Sequence, residues 1–251
     1  MTMRSHHATT RPRWALSIPL AVFGVVLTAL ISLLVDKQKP WFQPLDNAIR
    51  SAVGVGPDSS RYQWFWPWTL QHIGDTLGAI VVALIVVMVL VVFKRWRHAI
   101  YLAASLALGA GLITQIIKKA VVRERPAADE AAGLYSSLFH VDLGSFPSGH
   151  SAAAGVFAVA IFFVIPPTMN RLRTAWTIFA AIYVASMMWQ RILTNAHWFS
   201  DTVSGVCLGA GAALLLWWAL MPWLNHDNTH PKNATKGIVE KLEGHSIDTR
   251  D

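Results

Sequence analysis

The 251-residue sequence contains a single cysteine, Cys207, which excludes an intramolecular disulfide and any metal cluster built from cysteines. Charged side chains are also scarce: they make up 14% of the chain, against about 25% in an average soluble domain. Hydrophobic residues account for 54% of the chain, and the mean hydropathy is +0.41. This composition excludes a disordered chain, a collagen-like repeat and an ordinary soluble domain. It is typical of a polytopic helical membrane protein.

Six apolar stretches are long enough, or nearly so, to cross a hydrocarbon core about 30 Å thick, which takes about 20 helical residues. They predict an all-α integral membrane protein with a six-transmembrane-helix bundle over 14–221. The predicted spans lie near 14–35, 75–93, 99–118, 149–166, 174–191 and 201–221. The first stretch resembles a signal peptide. Its apolar run exceeds the usual length of about 7–15 residues and lacks a cleavage site, so we expect it to remain as an anchor.

Basic residues between the apolar stretches predict the orientation of the bundle. The turns at 94–98 and 171–173 are rich in lysine and arginine, so by the positive-inside rule both should face the cytoplasm. An even number of spans then places the N-terminal segment 1–13 and a flexible tail, 222–251, on the cytoplasmic side. The net charge of +7 is explained by topology and anionic lipid, and we expect no nucleic-acid partner.

Aromatic residues are concentrated in the first outer region, 36–74, which carries tryptophans suited to the headgroup level of a bilayer. We interpret this region as interfacial, with a short surface helix. Asp75 follows it at the start of the second predicted span, where an Asp oxygen can accept the first N–H groups of a helix. We therefore predict an N-cap role for Asp75, and support of the active-site residues is the alternative.

Polar and ionisable residues cluster where three predicted spans end or begin on the outer side. The cluster consists of Lys118, Arg125, Ser148, Gly149, His150, Arg191, His197 and Asp201. Ionisable groups at span ends are costly unless they face a polar cavity. Lysine and arginine match the charge of a phosphate, and a helix start adds free N–H groups that favour an anion. The cluster therefore predicts an anion site at the non-cytoplasmic boundary.

Two histidines complete a scheme for phosphoryl transfer. Neutral His197 can attack phosphorus, and Asp201, four residues later, can accept from the other ring nitrogen and fix the orientation of the imidazole. His150 would protonate the departing oxygen and later activate water. Because lysine and arginine supply the charge compensation that Mg²⁺ gives elsewhere, we expect no metal and no other cofactor.

In this order, the patterns K-x6-R-P, P-S-G-H and R-x5-H-x3-D resemble the motifs of the type 2 phosphatidic acid phosphatase superfamily. Its members are integral-membrane lipid phosphatases related in active site to vanadium haloperoxidases. The resemblance implies that phosphate is bound by Lys118, Arg125, Ser148, Gly149 and Arg191. It also implies that His197 forms the phosphohistidine, that Asp201 assists it and that His150 is the acid. One position departs from the motifs, because Gln190 stands where the third motif usually has serine.

Taken singly, these features have plainer explanations. Lys118 and Arg191 could extend to lipid headgroups from helix ends, and His150 could be an interfacial polar residue. Lys119 and Arg123 belong to this plainer class: we expect them to contact headgroups or product phosphate without a defined catalytic role.

The resemblance implies an enzyme of the bacterial inner membrane that hydrolyses a membrane lipid phosphate or diphosphate without metal, with its site facing the periplasm. Undecaprenyl diphosphate, phosphatidylglycerophosphate and phosphatidate are the expected candidates. The alternatives are a phosphotransferase or a lipid A 1-phosphatase of the same fold, and a non-catalytic lipid-binding or transport protein. Transport is disfavoured because the polar cluster lies at one membrane boundary rather than at mid-membrane. The sequence leaves the oligomeric state open.

Overall fold

The computed structural model describes residues 17–35, 40–129, 131, 133–140 and 144–229. Within these ranges the chain is helical, and the extended pairing present is an isolated bridge between Asp129 and Leu134. The helices are α1 (Ser17–Val35), α2 (Gln43–Val53), α3 (Phe65–Gly74), α4 (Thr76–Val92), α5 (Trp96–Ser105), α6 (Thr114–Ala120), α7 (Gly149–Val164), α8 (Asn170–Leu193) and α9 (Phe199–Thr229). A π-helical segment, Leu106–Ile113, joins α5 to α6. The all-α prediction is confirmed for this part of the chain.

A helix occupies each of the six predicted spans within the described residues. Two continuous helices, Trp96–Ala120 and Phe199–Asp227, are long and apolar enough to cross a membrane. Helices α3 and α4 meet that condition together as a bent pair, and Leu20–Val35 and Gly149–Val164 are shorter apolar helices. Two or three candidate spans are therefore established by length and composition, and the count of six stays a prediction.

Helix α9 lies at the centre of the bundle, where small residues allow close approach to α7. A Cβ added to Gly209 would lie 2.0 Å from the Ala152 backbone oxygen, and one added to Gly205 would lie 2.4 Å from that of Ser148. Glycines spaced four residues apart let helix backbones pack closely within membranes. Side chains such as Val156 then complete a buried apolar core between α5, α7 and α9.

Residues 40–74 contain two short α-helices, α2 and α3, in place of the single surface helix that we expect from the sequence. The axis of α3 is turned by 81° from that of α4. Gly78 permits this bend, because a Cβ there would lie 1.7 Å from the backbone oxygen of His72. The bend places Asp75 at a corner of the fold rather than at the start of a straight span.

Helix α9 continues past the predicted end of the last span, at 221, and ends at Thr229. Asp227 explains the extension. Its fully buried carboxylate accepts hydrogen bonds from the backbone N–H of Arg97 (3.1 Å) and His98 (3.4 Å), and so caps the start of α5. Trp223 packs edge-on against Trp96 beside this contact. The segments 1–13 and 230–251 lie outside the described residues.

Candidate active site

The three motif segments meet at one end of the bundle. Helix α6 ends at Ala120, α7 begins at Gly149, and residues 194–198 connect α8 to α9. Backbone hydrogen bonds tie these segments together: the Ser148 N–H donates to the Asp201 carbonyl at 3.1 Å, and the Ser145 N–H donates to the Arg123 carbonyl at 2.9 Å. The structure thus brings the predicted site residues into one region.

His197 lies buried in the loop between α8 and α9. Its Nδ1 is 2.7 Å from the backbone oxygen of Ser145. Because a carbonyl can only accept, Nδ1 carries the proton and Nε2 keeps its lone pair. Asp201 Oδ2 lies 3.6 Å from the same Nδ1, so the Ser145 carbonyl is the nearer acceptor and the carboxylate supplies charge beside it. Arg125 Nη1 lies 3.4 Å from Nε2, which marks the side of the ring where an anion can bind.

Burial also sets the charge of His197. Desolvation lowers the pKa of His197 to about 3, and the positive charges of Arg191 and Lys118 act in the same direction, against the opposing effect of Asp201. The imidazole is therefore neutral at physiological pH. A neutral ring with an unprotonated Nε2 is what a histidine nucleophile requires.

Two of the three predicted phosphate-binding cations donate hydrogen bonds to backbone oxygens of the site, and the third is buried. Lys118 Nζ donates to the Gly144 backbone oxygen at 3.2 Å, and Arg125 Nη1 donates to the Ala196 backbone oxygen at 2.6 Å. Arg191 is only 2% exposed, and among the described residues its Nε has no hydrogen-bond acceptor. A buried donor of this kind is costly unless something accepts from it, so Arg191 is suited to binding an anion.

The start of α7 offers backbone groups to the same region. Ser148 is the N-cap residue, and its Oγ accepts from the Ser151 N–H at 3.4 Å. A Cβ added to Gly149 would meet nothing within 4 Å, so the helix start faces open space. The free N–H groups and the positive end of the helix dipole favour an anion there.

The structure corrects the prediction for Asp75. It occupies the N-cap position of α4, but its side chain caps no N–H there. The 81° bend turns the carboxylate toward α7, where Asp75 Oδ1 lies 3.1 Å from His150 Nε2. This distance is that of an ion pair, although the angle is not that of a hydrogen bond. The His150 side chain is 17% exposed at this corner.

The structure also corrects the prediction that Arg123 contacts headgroups, because Arg123 is only 6% exposed. Its Nη1 donates to Ser200 Oγ at 2.7 Å and to Asp201 Oδ1 at 2.5 Å, and its Nη2 donates to Asp46 Oδ2 at 2.8 Å. Asp46 in turn accepts from the Ser200 N–H at 2.9 Å. A chain of charges therefore runs from α2 through Arg123 to the carboxylate beside His197.

Sequence reasoning misses Asp46, because no motif marks it. The structure buries Asp46 and Arg50, four residues apart, on one face of α2. The amphipathic sequence of α2 would instead place these charges toward solvent, so it gives no signal of their burial.

Gln190, which departs from the usual motif, contacts α3 rather than open space. Its Nε2 donates to Gln71 Oε1 at 3.1 Å, and the same oxygen accepts from Arg191 Nη1 at 2.6 Å. Gln190 therefore helps to hold the glutamine that supports Arg191.

Within the described residues, no three histidine, cysteine, aspartate or glutamate side chains are grouped as a metal ion would need. Close to His197 lie the guanidinium of Arg125, at 3.4 Å from Nε2, and the carboxylate of Asp201, at 3.6 Å from Nδ1. The arrangement can neutralise a phosphate, present a neutral imidazole to it and supply a second imidazole paired with a carboxylate.

Known proteins are similar to this chain in sequence. Residues 98–224 match the model of the PAP2 superfamily. Lipid A 1-phosphatases of Rhizobium johnstonii and Rhizobium etli are 32% and 31% identical over 112 residues, which is 42% of this chain. The matches cover 41% and 44% of those proteins, so the chain spans less than half the length of these relatives.

A solved structure shares the fold. The crystal structure of a transmembrane PAP2-type phosphatidylglycerolphosphate phosphatase from Bacillus subtilis superimposes with a TM-score of 0.65 at 20% identity. The superposition covers 82% of this chain and 96% of the other. The span-length helices and the match to the PAP2 superfamily model indicate a membrane protein, and the solved structure shows that its fold occurs in a transmembrane protein.

Proposed function

The chain belongs to the PAP2 superfamily, and from this premise we propose that it is a metal-independent membrane phosphatase that forms a phosphohistidine on His197. The observation that supports this proposal most strongly is the environment of His197. Its Nδ1 proton is directed to the Ser145 carbonyl, and its unprotonated Nε2 accepts from Arg125 Nη1 at 3.4 Å. A phosphate bound to Arg125 would therefore lie next to the nucleophilic lone pair.

The first step transfers the phosphoryl group to the enzyme. The Nε2 lone pair of His197 attacks phosphorus, and the bond from phosphorus to the lipid oxygen breaks. His150 donates a proton to that oxygen, so the lipid leaves as an alcohol, or as a monophosphate when the substrate is a diphosphate. Lys118, Arg125 and Arg191 compensate the negative charge on the equatorial oxygens.

The second step regenerates the enzyme. His150, now neutral, accepts a proton from water as the water oxygen attacks phosphorus. The bond between phosphorus and Nε2 of His197 breaks, and inorganic phosphate leaves. Both histidines return to their starting protonation states, so no further reactant is needed.

We propose a membrane lipid as the substrate, with the site on the non-cytoplasmic side and both termini in the cytoplasm. Undecaprenyl diphosphate, phosphatidylglycerophosphate and phosphatidate each present a phosphate at the headgroup level. Lipid A 1-phosphate is a second candidate, because the two Rhizobium relatives named as lipid A 1-phosphatases are similar to this chain over 112 residues.

Phosphate release from the purified full chain tests the proposal. We expect release from at least one of the four lipids in the presence of EDTA, and we expect His197→Ala to abolish both turnover and acid-labile phosphoenzyme. His140→Ala is the matched control, since His140 is exposed and lies outside the site, and it should retain both. Activity that requires added Mg²⁺, or a phosphoenzyme that persists in His197→Ala, would contradict the proposal.

The same assay separates hydrolysis from phosphotransfer. With a labelled lipid phosphate, a hydrolase releases the label as inorganic phosphate, whereas a phosphotransferase passes it to a second lipid hydroxyl. We expect the label to be recovered as inorganic phosphate. Recovery of the label mainly in lipid would favour the phosphotransferase.

A further inference from the structure

One corner of the fold contacts both the proposed acid and a phosphate-binding arginine without belonging to any motif. This corner is the junction of α3 and α4, residues 71–75, where the chain turns by 81°. It lies outside the segment 98–224 that matches the family model. Gln71 and Gly74 are both buried at this junction.

The absence of a side chain at Gly74 allows the His150 ring to lie against the junction. A Cβ at Gly74 would be 2.2 Å from His150 Cδ2 and 3.0 Å from Met187 Cε. No real side chain fits at the first distance, so any larger residue must displace the ring. In the position that glycine permits, His150 Nε2 lies 3.1 Å from Asp75 Oδ1. A carboxylate so close to one ring nitrogen orients the imidazole, and a general acid needs a fixed orientation toward the leaving oxygen.

Gln71 connects the same carboxylate to the phosphate-binding site. Its Nε2 donates to Asp75 Oδ1 at 3.1 Å, and its Oε1 accepts from Arg191 Nη1 at 2.6 Å. Because a guanidinium can only donate, the orientation of the Gln71 amide is fixed, and its NH₂ must face Asp75. One junction therefore orients both the acid and a cation that binds the substrate.

We propose that residues 71–75 are a fourth element of the active site, in which Asp75 is the positioning residue of His150. The proposal rests on the function above, because it requires His150 to be the general acid. Asp75 touches no reacting atom: it holds the imidazole in place for proton transfer to the leaving oxygen. Protonation matters when the leaving oxygen is strongly basic, as in a lipid alkoxide, and matters little for a nitrophenolate.

The test is Asp75→Asn, which keeps the shape of the side chain and removes its charge. We expect kcat on the lipid phosphate to fall by about 10–100-fold, part of the roughly 10²–10⁴-fold that general acid catalysis supplies. On nitrophenyl phosphate the burst of nitrophenolate should remain close to that of the wild type. In a His150→Ala background, Asp75→Asn should cause no further loss, because two residues that act through one step are not additive.

The matched control is Asp58→Asn, since Asp58 is an exposed carboxylate in the turn before α3. It should leave both rates unchanged. A purely structural role for Asp75 makes a different prediction: equal losses on both substrates, and losses that multiply in the double variant. Either result would overturn the positioning role.

Two further variants keep the test decisive if Asp75→Asn is not recovered folded. Gly74→Ala retains the carboxylate but displaces the ring, so it should show the same dependence on the leaving group. Asp75→Glu retains the charge and should recover part of the rate on lipid phosphate. Wild-type rates in Gly74→Ala would reject the positioning role alone. A wild-type protein that releases no phosphate from any lipid would reject the proposed function, and the positioning role with it.

Discussion

Burial at single residues decides which of the charged side chains have a role in the site. His197 and Asp201 can be predicted from the sequence because their spacing lies within one motif. Asp46 and Asp75 cannot be predicted in this way, because their partners are 77 and 75 residues away along the chain. A local pattern shows that a carboxylate follows a glycine at a helix start, but not that a bend aims it at another helix.

Asp46 provides a prediction at the residue scale. Asp46→Asn removes one of the two carboxylates that hold Arg123, and we expect a loss of stability of about 1–3 kcal/mol, the cost of an underpaired buried charged group. Because Arg123 positions the carboxylate beside His197, the rates on lipid phosphate and nitrophenyl phosphate should fall by similar factors. Thermal unfolding in detergent and the two phosphatase assays measure these effects.

The control for this prediction is Glu124→Gln, because Glu124 is exposed next to Arg123 in the chain. It should change neither the unfolding midpoint nor the rates. A loss in Asp46→Asn that is confined to lipid phosphate would show that Asp46 supports the acid step rather than the nucleophile.

At the scale of elements, hydropathy predicts where the helices are but not how they end or bend. Each predicted apolar stretch contains a helix, because long runs without charge are stable in a membrane only with internally paired backbones. The π-helical segment Leu106–Ile113 and the corner at Asp75 leave no mark in hydropathy. The extension of α9 depends on Asp227, whose partners lie at the start of α5.

Close packing of α7 against α9 provides the prediction at this scale. Gly209→Val places carbon atoms within about 2 Å of the Ala152 backbone, where no flexible side chain can yield. We expect destabilisation on the order of 3 kcal/mol or more and a lower yield of monodisperse protein. Gly111→Ala is the control, since a Cβ added to Gly111 would lie 3.6 Å from the nearest atom, a backbone oxygen, which is an ordinary contact distance. An unchanged unfolding midpoint in Gly209→Val would show that this contact does not hold the helices together.

At the scale of the whole molecule, two buried polar clusters lie at opposite ends of an apolar bundle. One contains the motif residues around His197, and the other joins the start of α5 to the end of α9 through Asp227. The apolar core between them includes residues of α5, α7 and α9. Since α7 runs from the site at Gly149 to the basic turn before α8, the two clusters should face opposite sides of a membrane.

Cysteine labelling tests this orientation in a Cys207→Ala background. Ala128 is exposed near the site, and Thr168 is exposed in the turn between α7 and α8. If the site faces outward, an impermeant thiol reagent should label Ala128→Cys in intact cells and label Thr168→Cys only after the membrane is opened. The reverse pattern would place the site in the cytoplasm. Labelling of both variants in intact cells would mean that the segment between the two positions does not cross the membrane, which would exclude α7 as a span.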